Sequence, residues 1–504
     1  MASPMEININ AALLSYNSKL GVEISSLKPA QSNALEAILR GHDVIAAFPT
    51  GFGKSLIYEI IPFVNPNACV LVIEPLNVII QQQLKKLCGL AIFLQKHMNV
   101  EDLDKVKKGK FPFIYCHPEF LIGNPEINKL LQGDFFQNDD TVIVIDEAHC
   151  VMEWGEEFRT DYKRLSELRA VISKAKILAL SATLSKSSQL ELIKNLKMKD
   201  SKVFVEKPMP DNIDICVEER PPYSFAAKES YRFVFEAIFN EVKTKLNECP
   251  LTIVYCSGSM HWIGYGYELA HSILREDIKA DNGDPRVIMY HSSVEQDSGE
   301  LKDRIHQLLS SESSALRVVI ASSALGMGAD LRYVKRVVHA GPPKSIEAYV
   351  QQIGRAGRTG EEAHAVLFYN KSDIGRKEMR SEMREFCKNK DICRRKMLIN
   401  YFGYSSDTLH KTTKCCNICT PDLKALCVIP PVNVEKRESL RVAITELMKS
   451  KDPNLVNSMK LEVECIVFNH SIYLDYKNLE KDFNIDLHLA KDIALIIKQI
   501  MSFN

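Results

Sequence analysis

The sequence predicts an α/β protein with two tandem doubly wound parallel-sheet domains, then a small cysteine-bearing module and a mostly helical C-terminal region. Three observations point there. Short β-branched runs alternate with longer amphipathic stretches, the pattern of strands buried on both faces and joined by crossover helices. The alternation breaks at a Pro-rich segment, Lys207-Pro-Met-Pro-Asp-Asn212, and then restarts. A cysteine cluster near residue 415 stands apart from otherwise scattered thiols.

In chain order, the strands of the first domain are expected at residues 42–48, 69–73, 113–115, 141–145 and 176–180. Those of the second are expected at 251–255, 287–290, 317–321, 334–339 and 364–369. The hinge falls at the Pro-rich segment, so the domains run 1–206 and 213–371. From residue 372 the pattern becomes helical and charged, and the cysteine module is placed at 372–425. Pro430-Pro431 marks a further boundary, and 432–504 reads as helices, clearest at 438–448 and 487–501. No repeat of solenoid period is visible.

Composition excludes several classes. A chain of 504 residues is expected to form about three to four domains at ~150 residues each. With 46% hydrophobic and 25% charged residues it matches neither a disordered nor a fibrous chain. No apolar run approaches the ~18 residues that span a bilayer, and the opening MASPMEININ lacks a basic-then-apolar leader, so no membrane partner is expected. Fourteen cysteines at irregular spacing suit a reducing compartment. The formal net charge is zero, so a nucleic-acid partner must be met by a local groove.

The strongest local signal is Phe48-Pro-Thr-Gly-Phe-Gly-Lys-Ser55, between an expected strand and a helical stretch. Thr50, Gly51 and Gly53 belong to a loop whose backbone N–H groups can point at phosphates. Lys54 would reach the β- and γ-phosphates of ATP and Ser55 would hold Mg²⁺. Phe48 stands where the general pattern has its first glycine. A Gly-rich turn without nucleotide is the blander alternative.

Asp146-Glu-Ala-His149 ends the apolar run TVIVI, which puts carboxylates at the sheet edge beside that loop. Asp146 would bind Mg²⁺ and Glu147 would orient and deprotonate the attacking water. Two acids at a strand end also serve as a helix N-cap; the upstream phosphate loop tips the balance to nucleotide hydrolysis. In the second domain, Gln351-Gln-Ile-Gly-Arg-Ala-Gly-Arg358 offers Arg355 and Arg358 in a Gly-Ala frame. There they can project across an interface toward a γ-phosphate.

With the segment from Asp146 to Tyr162, which carries Trp154, Phe158 and Arg159, the chain resembles the RecQ helicases of superfamily 2 over about residues 20–419. The resemblance implies RecA-like folds for both sheet domains and an ATP-driven 3′-to-5′ DNA-unwinding motor. In it Trp154, Phe158 and Arg159 would sense single-stranded DNA, through aromatic stacking and a phosphate-meeting arginine. It also implies that Gln31 reads adenine, that His149, Ser181 and Thr183 couple the domains, and that His291 and Asp330 belong to further motifs, Asp330 near ribose or Arg358. The sequence departs from the family pattern at Leu27, where an aromatic is usual, and at Glu74, where a small residue is usual. Without the resemblance, Trp154 and Phe158 at i and i+4 are better read as packing a helix against the core.

The same resemblance places a Zn²⁺ module on Cys393, Cys415, Cys416 and Cys419, four thiolates being enough for a closed tetrahedral site. His410 is an alternative ligand, and buried cysteines without metal are the blander reading. The implied partners are single-stranded DNA and 3′-tailed or branched duplex, in DNA repair or recombination, with the C-terminal region left for protein partners. The location is the nucleus if the chain is eukaryotic and the cytoplasm otherwise. The short tail shows no hairpin with an aromatic tip, so a DNA-dependent ATPase, translocase or annealing factor without robust unwinding stays open.

Overall fold

The computed structural model describes residues 4–95, 98–121, 124–153, 164–220, 227–256, 260–291, 300–323, 325, 331–404, 415–423, 434–453, 459, 463, 466–467, 473 and 475–500. The chain divides into two compact units, Met1–Leu426 and Cys427–Asn504. No helix of the described residues is long and apolar enough to cross a membrane.

The first unit holds two parallel sheets. Among the described residues the first has seven strands: β1 Val44–Ala47, β2 Val70–Ile73, β3 Ala91–Leu94, β4 Phe113–Cys116, β5 Val142–Ile145, β6 Lys176–Ser181 and β7 Lys202–Val205. Their order is β3-β4-β2-β5-β6-β1-β7. The interior strands β1, β2, β4 and β5 are buried at every position, as the unbroken apolar runs require. Edge strand β7 is mostly exposed and carries Lys202, which blunts the edge; neither it nor the other edge strand, β3, was among the expected strands.

The second sheet has six strands among the described residues: β8 Ile213–Glu219, β9 Thr252–Tyr255, β10 Val287–Tyr290, β11 Val318–Ala321, β12 Arg336–His339 and β13 Ala363–Tyr369. Their order is β10-β11-β9-β12-β13-β8. In both sheets functional loops gather at the carboxyl ends of the strands, the ligand edge of an open parallel sheet. The pairings β5-β6 and β6-β1 set the ends of β5, β6 and β1 side by side, with Ala47 opposite Ser181 and Ile145 opposite Ala179.

The cysteine module is anchored on the second sheet. Arg220, just past β8, makes a fully buried ion pair with Asp373 at 2.7 Å, and Arg395 donates to the carbonyls of Pro210 (3.0 Å) and Ile213. Ile215 of β8 forms an isolated parallel bridge with Cys416. The expected helix after Cys393 spans Arg394–Tyr401, and Gly403 leaves it at φ +84°, the left-handed conformation glycine adopts cheaply. Leu398 and Phe402 are buried, with Met397 and Tyr401 packed beside them.

The second unit includes helices Val434–Lys451, Tyr476–Phe483 and Leu487–Ile500. They share a core containing Leu440, Ile444, Met448, Leu479, Ile493 and Ile497, each such side chain contributing about 1.5–3 kcal/mol by burial.

Candidate nucleotide site and cysteine cluster

The phosphate loop leaves β1 at Phe48, whose N–H donates to the Ser181 carbonyl at 3.0 Å. Gly51 and Gly53 sit at φ +79° and +88°, where a side chain would be strained. A Cβ at Gly53 would fall 2.8 Å from Gln31 Nε2. Lys54 folds back into the loop, its Nζ donating to the Phe48 carbonyl at 3.2 Å. Burial lowers the Lys54 pKa; Glu147 and Asp146 oppose that shift, and Arg355 and Arg358 add to it. Ser55 opens the helix Ser55–Glu59.

At the end of β5, Glu147 takes φ +46°. A non-glycine residue there costs on the order of 1–3 kcal/mol and is held only where surroundings over-determine it. Its N–H donates to Asp146 Oδ1 at 2.9 Å, and its Oε2 lies 3.3 Å from His149 Nδ1. The same His149 nitrogen is 3.3 Å from Ser181 Oγ, which in turn donates to the Thr183 carbonyl and accepts from the Thr183 N–H. Burial, then the Glu147 charge, push the Asp146 carboxyl up to about 6, partly offset by Lys54.

The second sheet closes the other side. Thr50 Oγ1 donates to the Gly354 carbonyl at 3.5 Å, and a Cβ on Gly354 would meet Thr50 Oγ1 at 3.1 Å. Helix Ile346–Ile353 carries Gln351, half-buried, and leads into Arg355, only 3% exposed. Burial lowers the Arg355 pKa while Tyr255 and Glu147 raise it; its Nε has no hydrogen-bond partner among the described residues. His339, at the end of β12, donates from Nε2 to Gln352 Oε1 at 2.8 Å, since an amide oxygen only accepts, and stacks on Tyr255. Burial takes His339 down to about 4.

The site thus brings together Thr50, Gly51, Gly53, Lys54, Ser55, Asp146, Glu147, His149, Ser181, Thr183 and Arg355, with Arg358 near enough to act on the Lys54 charge. Gln31 lies against the phosphate loop: Nε2 donates to the carbonyls of Phe52 (3.0 Å) and Gly53 (2.9 Å), and Oε1 accepts from the Lys28 N–H (2.8 Å), which leaves one acceptor position on Oε1. His291 follows β10 and is half-buried. Trp154, Phe158, Arg159, Asp330 and His410 lie outside the described residues.

Cys393, Cys415, Cys416 and Cys419 present sulfur atoms all within 4.8 Å of one another. Cys393 Sγ is 3.5 Å from Cys415 Sγ and 4.0 Å from Cys416 Sγ. Four sulfurs at ~2.3 Å around a tetrahedral ion stand about 3.8 Å apart, so the set fits Zn²⁺, adjacent cysteines included.

Sequence reasoning did not single out His339, Gln352 and Tyr255, whose contacts between strand ends and a helix no local pattern encodes.

Three family models match: DEAD/DEAH box helicase over residues 28–192, helicase conserved C-terminal domain over 236–360 and RecQ zinc-binding over 369–420. The chain is 31% identical to the probable ATP-dependent DNA helicase RecS of Bacillus subtilis, covering 71% of this chain and 67% of that protein. It is 31% identical to the ATP-dependent DNA helicase hus2/rqh1 of Schizosaccharomyces pombe (78% of this chain, 30% of that protein). It is 29% identical to the ATP-dependent DNA helicase RecQ of Haemophilus influenzae (78% and 61%). The chain therefore spans less than two thirds of the length of these last two relatives. Among solved structures, the DUF1998 helicase MrfA bound to DNA superposes with TM-score 0.56 at 18% identity over 73% of this chain and 52% of that one. The DEAD-box helicase Mss116 bound to ssRNA and UDP-BeF gives 0.56 at 18% identity over 98% and 89%. These two likenesses establish the two-sheet fold. The zinc-binding module and the curated relatives go further: the chain belongs to the RecQ family.

Proposed function

We propose that the chain is an ATP-dependent DNA helicase that moves 3′-to-5′ along single-stranded DNA and unwinds tailed or branched duplex, in repair or recombination. One observation carries the reading: the phosphate loop of one sheet meets the arginine loop of the other, Thr50 Oγ1 lying 3.5 Å from the carbonyl of Gly354, the residue before buried Arg355. A triphosphate between them would complete both halves.

Lys54 must release the Phe48 carbonyl to meet the phosphates, and Glu147, turned by its left-handed backbone, would take the proton of the attacking water. Arg355 and Arg358 would meet the γ-phosphate as charge develops. Ser55 and Asp146 would hold Mg²⁺, which when bound would supply charge neutralisation at the phosphates. His149 and Ser181 would carry the state of the hydrolytic carboxylate to the strand end between the two motifs. Gln351 extends the arginine loop, and Trp154, Phe158, Arg159, Thr183, His291 and Asp330 are assigned to DNA contact, coupling or ribose by the family pattern. Zn²⁺ on Cys393, Cys415, Cys416 and Cys419 would close a structural site. The domains are proposed at 1–206, 213–371, 372–425 and 432–504, with protein partners at the last and a nuclear location if the organism is eukaryotic.

The second reading, a DNA-dependent translocase without robust unwinding, is favoured by the C-terminal unit, whose described residues are helical and contain no strand. Unwinding assays on duplexes with a 3′ tail and with a 5′ tail decide. Opening of the 3′-tailed duplex alone supports the helicase; DNA-stimulated hydrolysis with neither opened supports the translocase.

A further inference from the structure

Helix Ile346–Ile353, which leads into Arg355, is gripped from two sides. On the sheet side His339 donates to Gln352 in the last turn, and the Tyr349 ring packs 5.1 Å from the His339 ring. On the other side stands the cysteine module. The Arg380 N–H donates to the Lys344 carbonyl at 3.0 Å just ahead of the helix, and the Phe386 ring lies 5.2 Å from the Tyr349 ring. The Tyr401 hydroxyl donates to Glu347 Oε1 in the first helical turn. Phe386 and Tyr401 belong to helices Ser381–Lys388 and Arg394–Tyr401, on either side of Cys393 in sequence. Arg394 joins the two by donating to the Phe386 carbonyl at 2.8 Å.

Burial makes the Tyr401–Glu347 contact stiff. Glu347 is 6% exposed. Arg380 comes within 3.6 Å of its Oε1, and its Oε2 has no hydrogen-bond partner among the described residues. A buried carboxylate that loses a donor is left as a poorly solvated charge, and a hydrogen bond to an ionised group is about twice as strong as a neutral one. A first-turn carboxylate also suits the helix dipole, but that role needs neither burial nor a partner from another module. The helix has 8 residues, a rod of about 12 Å, so a tilt at Glu347 is delivered at Arg355.

We infer that Tyr401 is a positioning residue for hydrolysis: its bond to Glu347 sets the helix so that buried Arg355 reaches the γ-phosphate as charge develops. The cysteine module thereby takes part in turnover without touching nucleotide. Ground-state binding rests on the phosphate loop and does not need the bond; the arginine's contact with the transferring phosphoryl group does. The inference rests on the nucleotide-site reading above.

The test compares full chains: wild type, Tyr401→Phe, Glu347→Gln, Arg355→Ala and the double variant Tyr401→Phe/Arg355→Ala. kcat and KM for DNA-stimulated ATP hydrolysis are measured, with the Kd of ADP alone and of ADP with aluminium fluoride, a mimic of the transferring phosphoryl group. Tyr401→Phe is expected to lower kcat and weaken the aluminium fluoride complex about tenfold, with KM and the ADP Kd moved less than about twofold. Glu347→Gln keeps an acceptor oxygen for the hydroxyl and is expected to lose less than about threefold. In the double variant Tyr401→Phe should add nothing measurable to Arg355→Ala, because groups that act as a unit are not additive. An unchanged kcat in Tyr401→Phe overturns the inference. So does equal weakening of ADP and its aluminium fluoride complex, which makes the bond a prop of the fold, and so do losses that multiply in the double variant. In each of these cases the wild type still binds the aluminium fluoride complex more tightly than ADP; a wild type that does not overturns the nucleotide site itself.

Discussion

Thr50 of the phosphate loop and Gly354 ahead of the arginine pair meet across the two sheets, the Thr50 hydroxyl 3.5 Å from the Gly354 carbonyl. Gly354 has an ordinary helical φ of −64°, so its small size and not its backbone freedom is what the contact uses. Gly354→Ala puts a methyl 3.1 Å from Thr50 Oγ1 and 3.2 Å from the Val350 carbonyl. Catalysis is sensitive to shifts of this size; kcat/KM for ATP should fall about tenfold, with a melting temperature close to wild type. Gly357→Ala is the contrast. That glycine is at φ +68°, and its Cβ would come 2.6 Å from Asn212 Nδ2. A loss of about 2–3 kcal/mol is expected, measured by denaturant titration, and equal thermal stability of the two variants would contradict the distinction.

The parallel sheets were legible because interior strands such as Val142–Ile145 are continuous apolar runs, and the phosphate loop and acid pair because each is local. Strands Ala91–Leu94, Lys202–Val205 and Ile213–Glu219 were not among the expected strands; the first two are sheet edges whose burial pattern is incomplete. The contacts of His339 with Gln352 and Tyr255 were not legible, because they join residues 13 and 84 positions apart in sequence. Gln31 was readable as part of a motif, and its bonds to the Phe52 and Gly53 carbonyls depend on where the loop folds.

Arg355 is buried, and its Nε lacks a hydrogen-bond partner among the described residues, an arrangement suited to a group that completes its contacts with the nucleotide. Arg355→Ala should lower kcat on the order of a thousandfold or more while a fluorescent ATP analogue still binds. Arg355→Lys should recover little, since an ammonium lacks the planar fork. Unchanged turnover in the alanine variant would remove the arginine from the reaction.

His339 titrates near 4 in the folded chain against an ordinary 6.5, because burial disfavours its charged form. The unfolded chain binds this proton between those values and the folded chain does not. Its contribution to stability is therefore whole above pH 6.5 and lost as pH falls toward 4, at up to about 1.4 kcal/mol per unit. Denaturant titrations from pH 7 to 5 should show a shallower loss in His339→Gln than in wild type. Parallel profiles would contradict a neutral buried imidazole.

The four-sulfur cluster predicts about one Zn²⁺ per purified chain. Apparent zinc binding is worth on the order of 10–16 kcal/mol, and Cys416 is bridged to Ile215 of the second sheet, so loss of the ion should loosen the anchorage there. Chelation or Cys416→Ser should release the metal and lower the melting temperature by about 5 °C or more. Zinc-free chain with unaltered melting would contradict a structural site.

The most direct test of the central claim is steady-state ATP hydrolysis with and without single-stranded DNA, for wild type and Glu147→Gln. The account predicts stimulation by DNA and, in the variant, a rate reduced about a hundredfold or more with ATP still bound. A rate indifferent to DNA, or a variant as fast as wild type, would contradict it.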